Sequence, residues 1–205
     1  MKKILSACAI AAAAFTAAPA FAQGYVGLGF GSSKITGVDG NIVGAGIPAG
    51  TVFSGGNTSK GLVKIYGGFQ FTPNWGVELQ YSDLGNRGVV ATSAAGAVLV
   101  SGSYKASQYS IAGTGTLPLS AGFSLFGKLG VTSNKGNLSV NGGGVTANST
   151  GSQSSLLAGV GVKYNITPAL ALRLEYEDFG KMTSGNGFGG TVRGNAYSLN
   201  LQYGF

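Results

Sequence analysis

Histidine is missing from this 205-residue sequence, cysteine occurs once, and only 9% of the residues are charged. The absence of His excludes Ser-His-Asp and Cys-His catalysis and imidazole ligation of zinc. A single Cys excludes an intrachain disulfide and a Cys-rich metal site. Soluble domains average roughly 25% charged residues, so much of this surface is expected to face something other than water. The length fits one domain.

The first 22 residues have the composition of a secretory signal peptide. Two lysines precede an almost unbroken apolar run from Ile4 to Ala18, followed by a small-x-small cleavage site. The run is short for the alternative, an uncleaved membrane anchor. We therefore predict a signal peptide at residues 1–22 and one mature domain at residues 23–205. The residues at the predicted cleavage site are Ala20, Ala22 and Gln23.

Apolar and polar residues alternate through most of the remaining sequence. At the C-terminus, Leu199, Leu201 and Tyr203 alternate with Asn200 and Gln202. This period of two predicts strands that expose their two faces to different surroundings. Eight segments show it, near residues 24–32, 63–71, 75–82, 108–117, 123–132, 155–166, 170–177 and 197–205. Their lengths of roughly 9–12 residues fit strands that cross a bilayer at a tilt.

The connections between these strands alternate between short and long. Tight turns are predicted at 72–74, near 118–120 and at 167–168, and Gly-, Ser-, Thr- and Asn-rich loops at 33–60, 85–102, 134–151 and 181–193. After residue 22 no stretch is long and apolar enough for a transmembrane helix, and in lipid the remaining possibility is a closed barrel. We predict an all-β fold, an eight-stranded antiparallel up-and-down transmembrane β-barrel of outer-membrane type. The alternative, a soluble β-sandwich, would carry more charge on its exposed faces.

Aromatic residues lie towards the ends of the apolar strand faces. Such positions are typical of the aromatic girdles at the two membrane interfaces. The residues concerned are Trp75, Tyr81, Phe123, Tyr164, Tyr176, Phe179, Tyr197 and Phe205.

Charged residues on the strands share the polar face, which points inward in a barrel. An eight-stranded barrel is just wide enough for side chains to fill, and unpaired charges would be costly there. We therefore predict a plugged interior in which these charges pair, with the looser alternative that waters separate them. The predicted interior network is Lys64, Glu78, Lys128, Lys163, Arg173, Glu175 and Glu177.

The other cations of the mature chain lie in the long loops or at the strand ends that enter them. At that level an outer membrane presents lipopolysaccharide phosphates, and each contact is worth on the order of 1 kcal/mol by analogy with anionic lipid. Ordinary solvated loop charge is the alternative. Nucleic acid is not expected, because these cations are dispersed and are not interleaved with aromatics on one face. The predicted lipopolysaccharide-level cations are Lys34, Lys60, Arg87, Lys105, Lys135, Lys181 and Arg193.

No pattern in the sequence predicts an enzyme or a cofactor. The Gly-x-Gly repeats at 27–31 and 159–161 are not followed by a helix that could bind phosphate. Glu175 and Glu177 share a strand with Arg173, which favours ion pairing over a glycosidase pair of carboxylates.

Two internal segments and the C-terminus resemble a known family. The segments GVKYNITPALALRLEY, residues 161–176, and FQFTPNWGVELQY, residues 69–81, together with the terminal Tyr203-Gly204-Phe205, are similar to the outer-membrane β-barrel family related to the transmembrane domain of outer membrane protein A and the opacity-type surface proteins. The resemblance covers residues 23–205. It implies that Leu201, Tyr203 and Phe205 form the signal recognised by the barrel-assembly machinery.

The resemblance is specific for architecture and implies a place in the bacterial outer membrane. We expect a monomer in contact with outer-membrane lipid and lipopolysaccharide, acting in membrane structure and surface interaction. A small-solute, porin-like channel is the alternative function. No enzyme activity is expected, since barrel proteases and lipid-modifying barrel enzymes generally rely on a His.

Overall fold

The computed structural model describes residues 23–37, 40–41, 52–54, 58–93, 95–142, 145–183 and 192–205. The predicted signal segment, with Ala20 and Ala22, lies outside these residues, and Gln23 begins the first strand. None of the described residues forms a helix that is long and apolar enough to cross a membrane.

The described residues form ten strands of one antiparallel sheet. They are β1 (Gln23–Thr36), β2 (Gly40–Asn41), β3 (Val52–Ser54), β4 (Ser59–Gln70), β5 (Trp75–Thr92), β6 (Val98–Pro118), β7 (Phe123–Gly142), β8 (Val145–Asn165), β9 (Leu170–Thr183) and β10 (Val192–Gly204). Eight of them, β1 and β4 to β10, pair in chain order, and β1 closes the ring by pairing with β10. The predicted eight-stranded up-and-down barrel is confirmed.

The alternating pattern orients the side chains as predicted. In β10, residues 198, 200 and 202 are buried while residues 197, 199, 201 and 203 are exposed. Large apolar side chains on the outside reach 70% exposure at Leu156 and 68% at Leu129. A continuous apolar surface of this size is unfavourable in water, so these rows of side chains form the lipid-facing surface.

Two predicted loops are wrong. Residues 85–102 and 134–151 were expected to be irregular, but most of them extend β5, β6, β7 and β8. The β7–β8 ladder runs without a register shift from Phe123 opposite Tyr164 to Gly142 opposite Val145. The Gly-, Ser- and Thr-rich composition there reflects exposure to water above the membrane, since a backbone ladder does not require apolar side chains.

The barrel contains an internal repeat with an offset of 95 residues. Residues 69–87 align without gaps to residues 164–182, so the β4–β5 hairpin corresponds to the β8–β9 hairpin on the opposite side of the ring. Both short turns are capped in the same way: the Trp75 amide donates to Thr72 Oγ1 at 2.9 Å, and the Leu170 amide donates to Thr167 Oγ1 at 2.9 Å.

A β-bulge occurs at the same place in both copies of this repeat. The amides of Gly85 and Gly180 donate to Asp83 Oδ1 and Asp178 Oδ1 at 2.9 and 2.7 Å, and both glycines have positive φ, at 81° and 61°. Two residues on the bulged strand then oppose one on the next strand. Each bulge inverts the inward and outward phase of the residues that follow it.

The prediction that Phe179 belongs to an aromatic girdle is wrong. Phe179 is fully buried inside the barrel. Tyr176 faces outward, so alternation alone directs Phe179 inward, and the bulge formed with Gly180 inverts the phase only of the residues that follow.

Candidate functional site

Six charged side chains from four strands meet inside the barrel. Lys64 comes from β4, Glu78 from β5 and Lys128 from β7, while Arg173, Glu175 and Glu177 come from β9. All six are at least 96% buried. Three cations and three carboxylates cancel, so the group, hereafter the interior ion network, carries no net charge.

Lys128 contacts all three carboxylates of the network. Its Nζ lies 2.5 Å from Glu175 Oε1, 2.6 Å from Glu177 Oε1 and 3.2 Å from Glu78 Oε1. Lys64 contacts two of the same carboxylates, with its Nζ 2.6 Å from Glu175 Oε2 and 2.8 Å from Glu177 Oε2. Each lysine therefore bridges several carboxylates.

Arg173 links the two copies of the repeat. Its Nη1 lies 2.7 Å from Glu78 Oε2, and Glu78 occupies the position in the first copy that Arg173 occupies in the second. The guanidinium also lies over the rings of Phe126 and Tyr66, at 4.1 and 4.7 Å from the centroids. Such stacking adds to the stability of a buried guanidinium.

Neutral polar side chains also bind to the network. Gln80 Oε1 accepts from Lys128 Nζ at 2.6 Å, and Gln80 Nε2 donates to Glu177 Oε1 at 2.9 Å. The Tyr25 hydroxyl donates to Glu78 Oε2 at 3.0 Å. Sequence analysis did not select Gln80 or Tyr25, although the inward phase of their strands identifies both.

Lys163 was predicted to belong to this network, but the structure does not bring it into the group. It is half-buried, lies opposite Arg173 in the β8–β9 register, and forms no ion pair with a carboxylate of the described residues. The seven predicted interior charges thus divide into a neutral set of six and one separate lysine.

The external half of the interior contains an apolar cluster. Leu84 and Phe179, which follow the two bulge aspartates, pack there with residues from five other strands. The described members of this buried cluster are Ile35, Leu62, Leu84, Tyr104, Ala106, Ala112, Leu157, Phe179, Met182, Val192 and Ala196. The barrel is therefore filled by the ion network in one layer and by an apolar plug in another.

The prediction that Arg87 is an external cation is wrong. The β5 bulge inverts its phase, so the side chain points inward and is fully buried instead of facing lipid phosphates. Arg87 Nε donates to the Thr58 carbonyl at 3.1 Å, Nη1 to the Leu84 carbonyl at 2.9 Å, and Nη2 to Ser33 Oγ at 2.6 Å. Burial lowers the pKa of this guanidinium from its ordinary value.

The other six predicted external cations are exposed: Lys34, Lys60, Lys105, Lys135, Lys181 and Arg193. Two of them lie next to the external tyrosine pair Tyr81–Tyr109, whose ring centroids are 4.8 Å apart. Lys135 Nζ is 5.4 Å from the centroid of the Tyr109 ring, and Lys105 Nζ is 3.6 Å from Asp83 Oδ2.

The C-terminal side chains Leu201, Tyr203 and Phe205 all point outward, at 49%, 54% and 55% exposure. The backbone of Phe205 belongs to the seam where the barrel closes. The Gly24 amide donates to its carbonyl at 3.1 Å, and its own amide donates to the Gly24 carbonyl at 2.9 Å.

Within the described ranges, no three His, Cys, Asp or Glu side chains are grouped so that they could hold a metal ion. The described carboxylates of the interior all contact cations.

Comparisons with solved structures agree with this architecture. OprG of Pseudomonas aeruginosa superposes with a TM-score of 0.61 at 15% identity, over 90% of this chain and 96% of that chain. Ail, the attachment invasion locus protein of Yersinia pestis, solved with the heparin analogue sucrose octasulfate, gives 0.52 at 16% identity, over 90% and 99%. Neisserial surface protein A gives 0.51 at 18% identity, over 89% and 97%. At these identities the likeness concerns the fold.

The comparison with curated proteins found no match. A family model described as the outer membrane protein beta-barrel domain matches residues 4–205. With this match and the closed barrel together, the chain belongs to the outer membrane protein beta-barrel domain family and is an integral protein of the bacterial outer membrane.

Proposed function

We propose that this barrel is a closed, monomeric element of the outer membrane that acts in membrane structure and in surface interaction, and is neither a solute channel nor an enzyme. The observation that carries the proposal is the neutral interior ion network. Its six side chains are buried and bound to one another, so a hydrated ion would have to separate several short ion pairs to pass. Breaking buried pairs of this kind is strongly unfavourable.

The absence of catalysis is part of this proposal. The chain has no His, and each of the buried Glu78, Glu175 and Glu177 contacts at least two cations. Carboxylates held in this way lack the free position that a general base or a nucleophile requires.

Conductance measurements test the closed interior. Purified residues 23–205 added to a planar bilayer should give no current, or rare brief flickers, at ordinary salt. Insertion is checked separately by a gel in which the unheated barrel migrates faster than the heated one. Stable openings in the nanosiemens range would contradict the closed barrel and favour the porin-like alternative.

The exposed cations beside the external tyrosines support a contact with lipopolysaccharide phosphates, each worth about 1 kcal/mol. We expect less lipopolysaccharide to remain bound through purification when Lys105 and Lys135 are both changed to Ala. The matched control is Lys163→Ala, which removes a positive charge from the barrel interior. Equal retention by both variants would contradict this contact.

A further inference from the structure

Among the described residues, the pairing between β8 and β9 stops short of the external end of β8. Pairing of these strands ends at Ala158 opposite Asp178. β8 nevertheless continues to Val145 and stays paired with β7 along its whole length. Among the described residues, 145–152 therefore pair on one side only, and we call this backbone segment the β8 edge.

The other copy of the repeat indicates what such an opening can accept. In that copy, the pairing between β4 and β5 ends at Val63 opposite Asp83. These two positions correspond in the repeat to Ala158 and Asp178. The chain's own β3 occupies that opening by pairing with residues 90–92 of β5. An extended segment added by backbone hydrogen bonds thus completes the wall on one side of the barrel.

The β8 edge lacks the features that usually prevent strand addition. Residues 145–152 read VTANSTGS, with no charged residue and no Pro. Exposed edges in native proteins are commonly protected by Lys, Pro or a bulge. An unprotected edge is the kind of surface to which extended peptides bind.

Charge at the base of the β8 edge is positive. Lys181 lies next to it, since its amide donates to Ser155 Oγ at 2.9 Å. Arg193 lies opposite Lys181 in the β9–β10 register, and both side chains are exposed. Asp178, the described carboxylate of this region, accepts the Gly180 amide of the bulge.

We propose that the β8 edge binds an extended, acidic segment of a partner protein by β-strand addition. The inference rests on the proposed surface role and specifies the partner. Backbone pairing supplies the affinity, and Lys181 and Arg193 favour an acidic residue at the end of the bound strand.

Peptide binding tests this mode. The probe is a labelled synthetic peptide, Asp-Thr-Val-Thr-Val-Thr-Val-Asp, titrated into the purified barrel in detergent and followed by fluorescence anisotropy. We expect saturable binding that weakens by about tenfold or more when every internal amide of the peptide is N-methylated, because the backbone hydrogen bonds that the peptide donates are lost. Unchanged binding of the methylated peptide would overturn the proposal.

A charge variant tests the acidic preference. Lys181→Ala with Arg193→Ala should weaken binding severalfold. The control pair, Lys34→Ala with Lys60→Ala, removes two cations on β1 and β4 that are also exposed and should leave binding unchanged. Equal effects of both pairs would overturn the acidic specificity.

Amide hydrogen exchange locates the bound strand. In the free monomer we expect fast exchange at alternate amides of residues 145–152, which becomes slow when peptide binds. Protection already present in the monomer would mean that the chain covers its own edge. Protection that grows with protein concentration would mean that a second copy does, and either result overturns the proposal. If the peptide does not bind and the barrel gives no conductance in a planar bilayer, only this inference is overturned, and the proposal of a closed barrel stands.

Discussion

Replacing Lys128 with Met should lower the free energy of unfolding by about 3–5 kcal/mol, the usual cost of removing one partner from a buried ion pair. Lys128 contacts Glu78, Glu175 and Glu177, so its loss leaves the interior ion network with a net charge of −1 and several carboxylate oxygens without a donor. Urea unfolding in lipid vesicles measures the change, with Trp75, the single tryptophan, as fluorescent probe.

Lys163 provides the matched control for this prediction. It is an inward lysine on a neighbouring strand, but it forms no ion pair with a described carboxylate. Lys163→Met should therefore change the free energy of unfolding by less than about 1 kcal/mol. Combining Lys128→Met with Glu177→Gln restores neutrality and should recover part of the loss. Equal destabilisation by Lys128→Met and Lys163→Met would contradict the network.

Phe205→Ala should reduce severalfold the amount of folded barrel in the outer membrane of cells. By the family resemblance, the barrel-assembly machinery recognises this side chain together with Leu201 and Tyr203. The substitution keeps both backbone hydrogen bonds between Phe205 and Gly24, so the closed barrel itself should tolerate it. Quantitative blotting of outer-membrane fractions measures the effect.

Phe71→Ala is the control for the assembly signal. Phe71 lies at a short turn and is 52% exposed, close to the 55% of Phe205. Both variants should refold in detergent to the same extent, while only Phe205→Ala should accumulate poorly in cells. A parallel loss in refolding would show that Phe205 acts through stability and not through recognition.

Much of the fold could be predicted from the sequence because one physical rule governs most strand residues. Lipid lies on one side of the wall and packed polar groups on the other, so alternation assigned Leu199, Leu201 and Tyr203 outward and Arg173, Glu175 and Glu177 inward. Which charges meet depends instead on the tilt of the strands around the ring. Period two does not encode this tilt, so the separation of Lys163 from its predicted partners was not visible.

The error at Arg87 has a local cause. The Asp-x-Gly bulge adds one residue to β5 and inverts the phase after it, so a residue predicted to be an external loop cation lies fully inside. The corresponding residue of the repeat, Met182, is buried in the same way. The shared spacing of Asp83-Leu84-Gly85 and Asp178-Phe179-Gly180 is the sequence signal that could have revealed both bulges.

Thiol labelling of the intact barrel in bilayers tests most directly whether the inward face is sealed and the outward face lies in lipid. Residues 23–205 contain no Cys, so single cysteines can be placed at the inward Ser198, the outward Leu199 and the external, exposed Ser139. With a water-soluble thiol reagent, we predict rapid reaction at residue 139 and none at 198 or 199 until the protein is unfolded. Rapid labelling at 198 would reveal a water-filled lumen, labelling at 199 would place the apolar rows in water, and either result would contradict a sealed barrel embedded in lipid.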